Sequence, residues 1–219
     1  MRAQQGHRGW WPGETPFEIC VGAILTQNTN WGNVERAIAN LRAAHLLMPK
    51  RMFALPERDL AQLIRPAGYF NVKAKRLRAF LRVLVEEFGG ELPRLFAGST
   101  AEARHRLLGI HGIGAETADS MLLYAGTHHS FVVDAYTKRI FHRHGWCTAD
   151  ATYHDLQMMC AASLDEKPLK ARLDYWQDYH AQLVEVGKNY CRPREARCDA
   201  CPLRPLLPEG GPPLALRRL

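Results

Sequence analysis

Three stretches of this sequence have residue types and spacings that suit chemistry. Near the end of the chain Cys191, Cys198 and Cys201 are separated by six and two residues. Thiols packed this closely, in a compartment that keeps them reduced, favour metal ligation over disulfides. In the middle lies Leu108-Gly109-Ile110-His111-Gly112-Ile113-Gly114-Ala115-Glu116-Thr117-Ala118, with glycines just ahead of a helical segment. Glycine permits positive φ and close backbone approach. The free N–H groups and positive dipole end of the helix that follows suit a phosphate oxygen. This is the pattern of a helix–hairpin–helix element that grips a DNA backbone without reading sequence. A bare G-x-G is also an ordinary tight turn; the longer string Gly112-Ile113-Gly114-x-Glu116-Thr117-Ala118-Asp119 carries the specificity. The third feature is Asp134, directly after the apolar run Phe131-Val132-Val133, where an aspartate can cap a helix.

The elements that position these residues read as helical nearly throughout. Phe17, Cys20, Val21, Ile24 and Leu25 mark one face of a 3.6-residue period, and Val34, Ile38 and Leu41 repeat it. A third helix is announced by Gly68 and a capping candidate, Asn71. It runs through Leu77, Leu81, Leu84, Val85 and Phe88 to Gly89-Gly90, with Lys73, Lys75, Arg76, Arg78 and Arg82 on a solvated face. Ser99 with Glu102 forms a capping box for a helix ending near Leu108. Ser130 to Val133 is the best β-branched run, but it is short and isolated, so the expected class is all-α. After Leu207 the Pro-, Gly- and Leu-rich tail should be irregular.

The chain has 219 residues, of which 47% are hydrophobic and 23% charged, enough for a proper core and ordinary for a globular protein. No apolar run reaches the ~18 residues of a membrane span, and residues 1–9 carry no apolar signal region. A cytoplasmic location with no membrane partner is expected. Lys and Arg exceed Asp and Glu by 29 to 22, a net charge of +7, which favours a polyanionic partner such as nucleic acid.

Taken together, Pro16-Phe17-Glu18, Thr26-Gln27-Asn28-Thr29, Gly68-Tyr69-Phe70-Asn71-x-Lys73-Ala74, the glycine hairpin, Val132-Val133-Asp134 and the cysteine run make the chain resemble the endonuclease III (HhH-GPD) superfamily of base-excision DNA glycosylases over almost its whole length. Trp10-Trp11-Pro12, Gly22 to Thr29 and Val133-Asp134-Ala135-Tyr136 are most similar to the endonuclease III-related branch that includes 3-methyladenine DNA glycosylase III. The resemblance implies two α-helical domains with a DNA cleft between them. Residues 10–128 would form a six-helix domain with the hairpin, and 1–9 plus 129–219 a discontinuous domain with the cysteine loop. Only about fifteen residues precede Pro16, so the family's extra N-terminal helix is expected to be missing. A nucleoid-associated monomer acting on damaged double-stranded DNA is expected.

The same resemblance assigns roles. Asp134, twenty residues after Gly114, matches the catalytic aspartate. A fixed carboxylate stabilises the positive charge that builds on the sugar as the N-glycosidic bond breaks, and can orient the attacking water. Glu116 stands where bifunctional members carry the lysine that forms a Schiff base. A carboxylate cannot form an imine, so a monofunctional hydrolase is implied. Trp10, Trp11 and Trp31 would line the base pocket, where an indole face attracts a cationic alkylated purine; read alone, they are ordinary core residues. Gln27 matches the residue that fills the gap left by a flipped base. Gly112, Ile113, Gly114, Lys138 and Arg139 would contact DNA. The positive charge should gather there and on Lys73, Lys75, Arg76 and the arginines 192, 194, 197 and 204.

Cys191, Cys198 and Cys201 match three of the four ligands of the family's [4Fe–4S] cluster, but the fourth position is Leu207. A cluster with a non-cysteine ligand, a three-iron or zinc site, and an empty relic all remain open, with the first favoured by the intact spacing. Cys20, Cys147 and Cys160 read as buried small apolar residues. The alternatives to an alkyl-purine glycosylase are an endonuclease III-type pyrimidine-damage glycosylase and a lesion-binding protein with little or no turnover.

Overall fold

The computed structural model describes residues 1–8, 11–165 and 169–211. Its helices are α1 (Arg2–Gln5), α2 (Pro16–Leu25), α3 (Trp31–Ala43), α4 (Pro49–Ala54), α5 (Glu57–Leu63), α6 (Phe70–Arg82), α7 (Leu92–Leu95), α8 (Thr100–Leu108), α9 (Ala115–Tyr124), α10 (Ala135–Arg143), α11 (Tyr153–Asp165) and α12 (Leu169–Asn189). Among the described residues there is no sheet, only an isolated bridge between Cys191 and Ala196. The run Ser130 to Val133 is accordingly not a strand. No described helix is long and apolar enough to cross a membrane.

Two compact units emerge, one of Trp11–Ser130 and one of the described parts of Met1–Trp10 and Phe131–Leu219. In the first, α2 is the hub. Thr15 caps it by accepting from the Glu18 N–H, Pro16 occupies the first turn, and every residue from Phe17 to Leu25 is buried. The anticipated single apolar face is therefore too narrow, because other helices surround α2 on all sides. The one carboxylate on it, Glu18, is held by Arg42 at 2.8 and 2.9 Å. Val34, Ile38 and Leu41 of α3 join this core as their period predicts.

α6 departs from expectation in two ways. It begins at Phe70 behind Tyr69, whose φ is +45°, and no side chain caps it, so Asn71 is not the cap. Lys73 is not on the solvated face: it is 1% exposed, and its ammonium donates to the carbonyl oxygens of Leu25 at 2.8 Å and Ala67 at 2.7 Å. It thus satisfies a carbonyl at the end of α2 that its own helix leaves without a partner. Burial, and then the nearby Arg76 charge, lowers the Lys73 pKa to about 8. Past Arg82 the helix loosens into a π turn, Val83–Glu87, before Gly89 and Gly90.

In the second unit α10 and α12 pack together around Phe131, Ile140, Phe141, Trp176, Leu183 and Val186. The short α1 occupies the place where no helix was anticipated. The residues following it are tied to α12 by the Arg8 N–H donating to Asp178 at 2.7 Å and Gln182 donating to the Gly6 carbonyl at 2.6 Å.

Candidate active site and candidate metal centre

The hairpin joins α8 to α9. Ser99 and Glu102 form the anticipated capping box at the start of α8. The two helices are clamped by Arg104, which donates to both carboxylate oxygens of the fully buried Asp119 at 2.8 and 3.1 Å, while Ser130 donates to the same carboxylate at 2.6 Å. Asp119, the last residue of the motif string, is thus a structural lock. Ile110 and Ile113 point into the core, so Ile113 anchors the turn with its side chain. The glycines differ. Gly112 has φ +86°, and a Cβ there would lie 2.3 Å from Cγ of Arg76. Gly114 has φ −93°, so it needs no left-handed freedom, and a Cβ there would meet nothing within 4 Å. No side chain caps α9, whose first turn carries the exposed Glu116.

Gln27 is half-buried and held at both ends of its amide. Its nitrogen donates to the Gly112 carbonyl at 3.0 Å and to the Thr117 hydroxyl at 2.9 Å, and its oxygen accepts from Arg76. It therefore fastens the hairpin to α6. Nearby in the same unit, Trp11 meets Trp31 edge-on at 5.6 Å and lies 5.1 Å from the Tyr124 ring. Trp31 donates its indole N–H to Glu35 at 2.8 Å. Gly22 of α2 faces both indoles, and a Cβ there would be in ordinary van der Waals contact with Trp31 at 3.4 Å and Trp11 at 3.5 Å. Trp10 lies outside the described residues.

In the other unit Asp134 caps α10. One carboxylate oxygen accepts from the Thr137 N–H at 2.8 Å and the Thr137 hydroxyl at 2.9 Å. The other oxygen is 3.6 Å from Nε2 of His180, with both side chains largely buried. Burial pushes the Asp134 carboxyl up, but His180 and the two Thr137 donors outweigh it and hold the pKa below the usual carboxylate range. The result is an oriented, ionised carboxylate. Two residues on, Tyr136 covers Gly187 of α12, where a Cβ would lie 2.3 Å from the phenol ring.

The far end of α10 holds the cysteine loop. Arg139 donates to the carbonyls of Cys191 at 2.6 Å and Gly187 at 3.2 Å, so this guanidinium serves the loop, whereas Lys138 is exposed. Arg143 is buried and donates to the carbonyls of Arg192 at 2.6 Å and Pro193 at 2.7 Å, with Nη1 3.4 Å from Cys191 Sγ. Cys191, Cys198 and Cys201 line one small cavity, and Leu207 forms part of its wall. The Leu203 N–H points at Cys201 Sγ at 3.5 Å. N–H donors aimed at sulfur stabilise thiolates, so the donor set fits a soft metal centre. Among the described residues no three His, Cys, Asp or Glu side chains converge closely enough to bind one ion. Arg192, Arg194, Arg197 and Arg204 are exposed around the loop.

The profile of HhH-GPD superfamily base excision DNA repair proteins matches residues 21–164. The chain belongs to this superfamily. Among curated proteins, this HhH-GPD chain is 47% identical over 200 residues to "Putative DNA repair glycosylase MJ1434" of Methanocaldococcus jannaschii, covering 91% of the chain and 88% of that protein. It is 29% identical to endonuclease III of Thermotoga maritima, covering 86% and 81%. Among solved structures it is similar to an endonuclease III–DNA complex (TM-score 0.76, 23% identity, covering 94% and 89%). It is also similar to the H. pylori 3-methyladenine DNA glycosylase MagIII bound to 1,N6-ethenoadenine (TM-score 0.71, 28% identity, covering 84% and 90%).

Within the HhH-GPD fold, then, one unit holds the hairpin, Gln27, Arg76 and the Trp11–Trp31 pair, and the other holds Asp134 and the cysteine loop. Sequence reasoning missed His180, Arg143 and Tyr124. The partners of His180 and Arg143 lie 46 and 48 residues away in sequence, and no spacing rule connects them. Of the remaining cysteines, Cys20 and Cys160 are buried as expected, the latter with its thiol pushed up to about 12 by burial, while Cys147 is only half-buried.

Proposed function

We propose that this chain is a monofunctional DNA glycosylase that hydrolyses the N-glycosidic bond of alkylated purines in double-stranded DNA. The observation that carries this reading is Asp134, held ionised by Thr137 and His180, in a chain whose lyase position is Glu116. The backbone N–H groups at the start of α9, opened by Gly112 and Gly114, hold a phosphate. Lys138 and the loop arginines add non-specific attraction. The damaged nucleotide is flipped out, and a cationic base is received against Trp11 and Trp31, an attraction of roughly 0.5–2 kcal/mol. The positive charge on an alkylated purine makes it a good leaving group. Asp134 stabilises the sugar cation and orients water toward it. The likeness to a 3-methyladenine glycosylase at 28% identity supports the substrate class. Cys191, Cys198 and Cys201 would hold a [4Fe–4S] cluster, which when bound cross-links the loop.

The test is base release from duplexes carrying 3-methyladenine, 1,N6-ethenoadenine, thymine glycol or uracil, with borohydride added in parallel. Release of the alkylated purines without a trapped covalent adduct is expected. A trapped adduct refutes hydrolysis by water alone. Release of thymine glycol in preference to the purines establishes the pyrimidine-damage reading. Tight binding with no release establishes a lesion-binding protein.

A further inference from the structure

We propose that His144 is the missing fourth ligand of the metal cluster. The inference rests on the cluster reading above and identifies the residue that replaces the family's last cysteine. His144 lines the same cavity as Cys191, Cys198 and Cys201. The rest of that wall offers no competitor. Arg143 and Arg204 are cations, Leu207 has no donor atom, and Tyr190 would first have to give up its phenolic proton.

The hydrogen bonding of the ring prepares it for ligation. Nδ1 lies 3.1 Å from the Leu206 carbonyl oxygen. A carbonyl only accepts, so Nδ1 carries the proton and Nε2 keeps its lone pair. Metal-binding histidines characteristically donate their second ring N–H to a carbonyl or carboxylate in this way, which fixes tautomer and orientation. The carbonyl used belongs to Leu206, the immediate neighbour of Leu207. The imidazole is therefore tied to the stretch of chain where the fourth thiolate would have stood. The Trp146 ring lies against the imidazole, 4.5 Å between centroids and tilted by 33°, which restricts its motion. Arg143, adjacent in the chain, reaches Cys191 Sγ from the same end of α10. A neutral imidazole in place of a thiolate removes one negative charge from the assembly and raises its reduction potential, as histidine does in Rieske centres.

The experiment uses the full chain, purified anaerobically, as wild type and as His144→Ala, His144→Cys and Leu207→Cys/His144→Ala, with circular dichroism confirming the fold. Iron and sulfide are counted, absorbance is read near about 400 nm, and the reduced proteins are examined by pulsed EPR for nitrogen coupling, with 15N-histidine labelling. Expected are about four irons per wild-type chain, with a histidine nitrogen coupling that disappears in His144→Cys while the cluster stays. His144→Ala loses iron toward about three per chain, and the double variant recovers it. A wild-type cluster without histidine nitrogen coupling overturns the proposal, and so does wild-type iron and spectrum in His144→Ala; either leaves the cluster reading standing. Wild-type protein that never holds iron overturns both. The wild-type coupling decides the matter even where a variant fails to fold.

Discussion

Asp134 serves structure and is assigned chemistry, and two substitutions separate the roles. Asparagine at 134 keeps a side-chain oxygen for the Thr137 N–H, which it now meets at 2.8 Å, and asparagine caps helices about as well as aspartate. Stability should stay within about 0.5 kcal/mol of wild type. What asparagine lacks is charge. The Asp134 side chain is 14% exposed, so an effective dielectric of about 20 is more suitable than that of water. A carboxylate about 4 Å from the developing sugar cation then contributes about 4 kcal/mol, or about a thousandfold in rate. Asp134→Ala removes the cap as well, and should cost about 1–2 kcal/mol of stability in addition to the same loss of rate. The assay is single-turnover base release with enzyme in excess over a 1,N6-ethenoadenine duplex, beside thermal melting of each variant. An Asp134→Asn protein that melts like wild type and releases base within tenfold of it would falsify the catalytic role and leave Asp134 a helix cap. The pH dependence supplies a second check. A depressed carboxyl pKa contributes stability that is present above the ordinary carboxylate range and is lost as pH falls through the folded-state value. Wild type should therefore lose more stability than Asp134→Asn below about pH 4.

Gly112→Ala should destabilise the hairpin by about 1–3 kcal/mol, through positive φ and the clash with Arg76, and weaken binding to undamaged duplex. Gly114→Ala should melt within about 1 kcal/mol of wild type; equal melting temperatures for the two would contradict the geometry. Because the Lys73 pKa is lowered to about 8, the unfolded chain binds a proton that the folded chain lacks between there and the ordinary lysine value. Urea stability should accordingly rise by about 1–2 kcal/mol as pH climbs across that window. Lys73→Met should lack that slope, and an identical pH profile would refute the assignment. Asp119→Ala strands Arg104 and the Ser130 hydroxyl and should cost about 3–5 kcal/mol in chemical denaturation; a cost under about 1 kcal/mol would show that the lock is not structural.

Local rules read most of the helices correctly, because capping and periodicity are properties of a few adjacent residues. The Ser99–Glu102 box and the Val34, Ile38, Leu41 face are such cases. Lys73 misled because its neighbours Lys75, Arg76 and Arg78 are basic. Its spacing of four and seven from Leu77 and Phe80, both buried, places it on the inner face and could have revealed it. Asn71 misled because α6 starts from a left-handed Tyr69, a tertiary choice that no capping preference foretells. At the site, the types of Asp134, Gln27 and the cysteines were legible, but their partners were not. The partners of Gln27, namely Gly112, Thr117 and Arg76, lie 49 to 90 residues away, and no local rule connects them.

α10 has a consequence of its own. It is nine residues long, a rod of about 14 Å, with Asp134 at one end and Arg139 and Arg143 gripping the cysteine loop along the rest. One short helix thus carries both the carboxylate at its start and the guanidiniums that hold the loop, so a change in the loop is felt at Asp134 through nine residues.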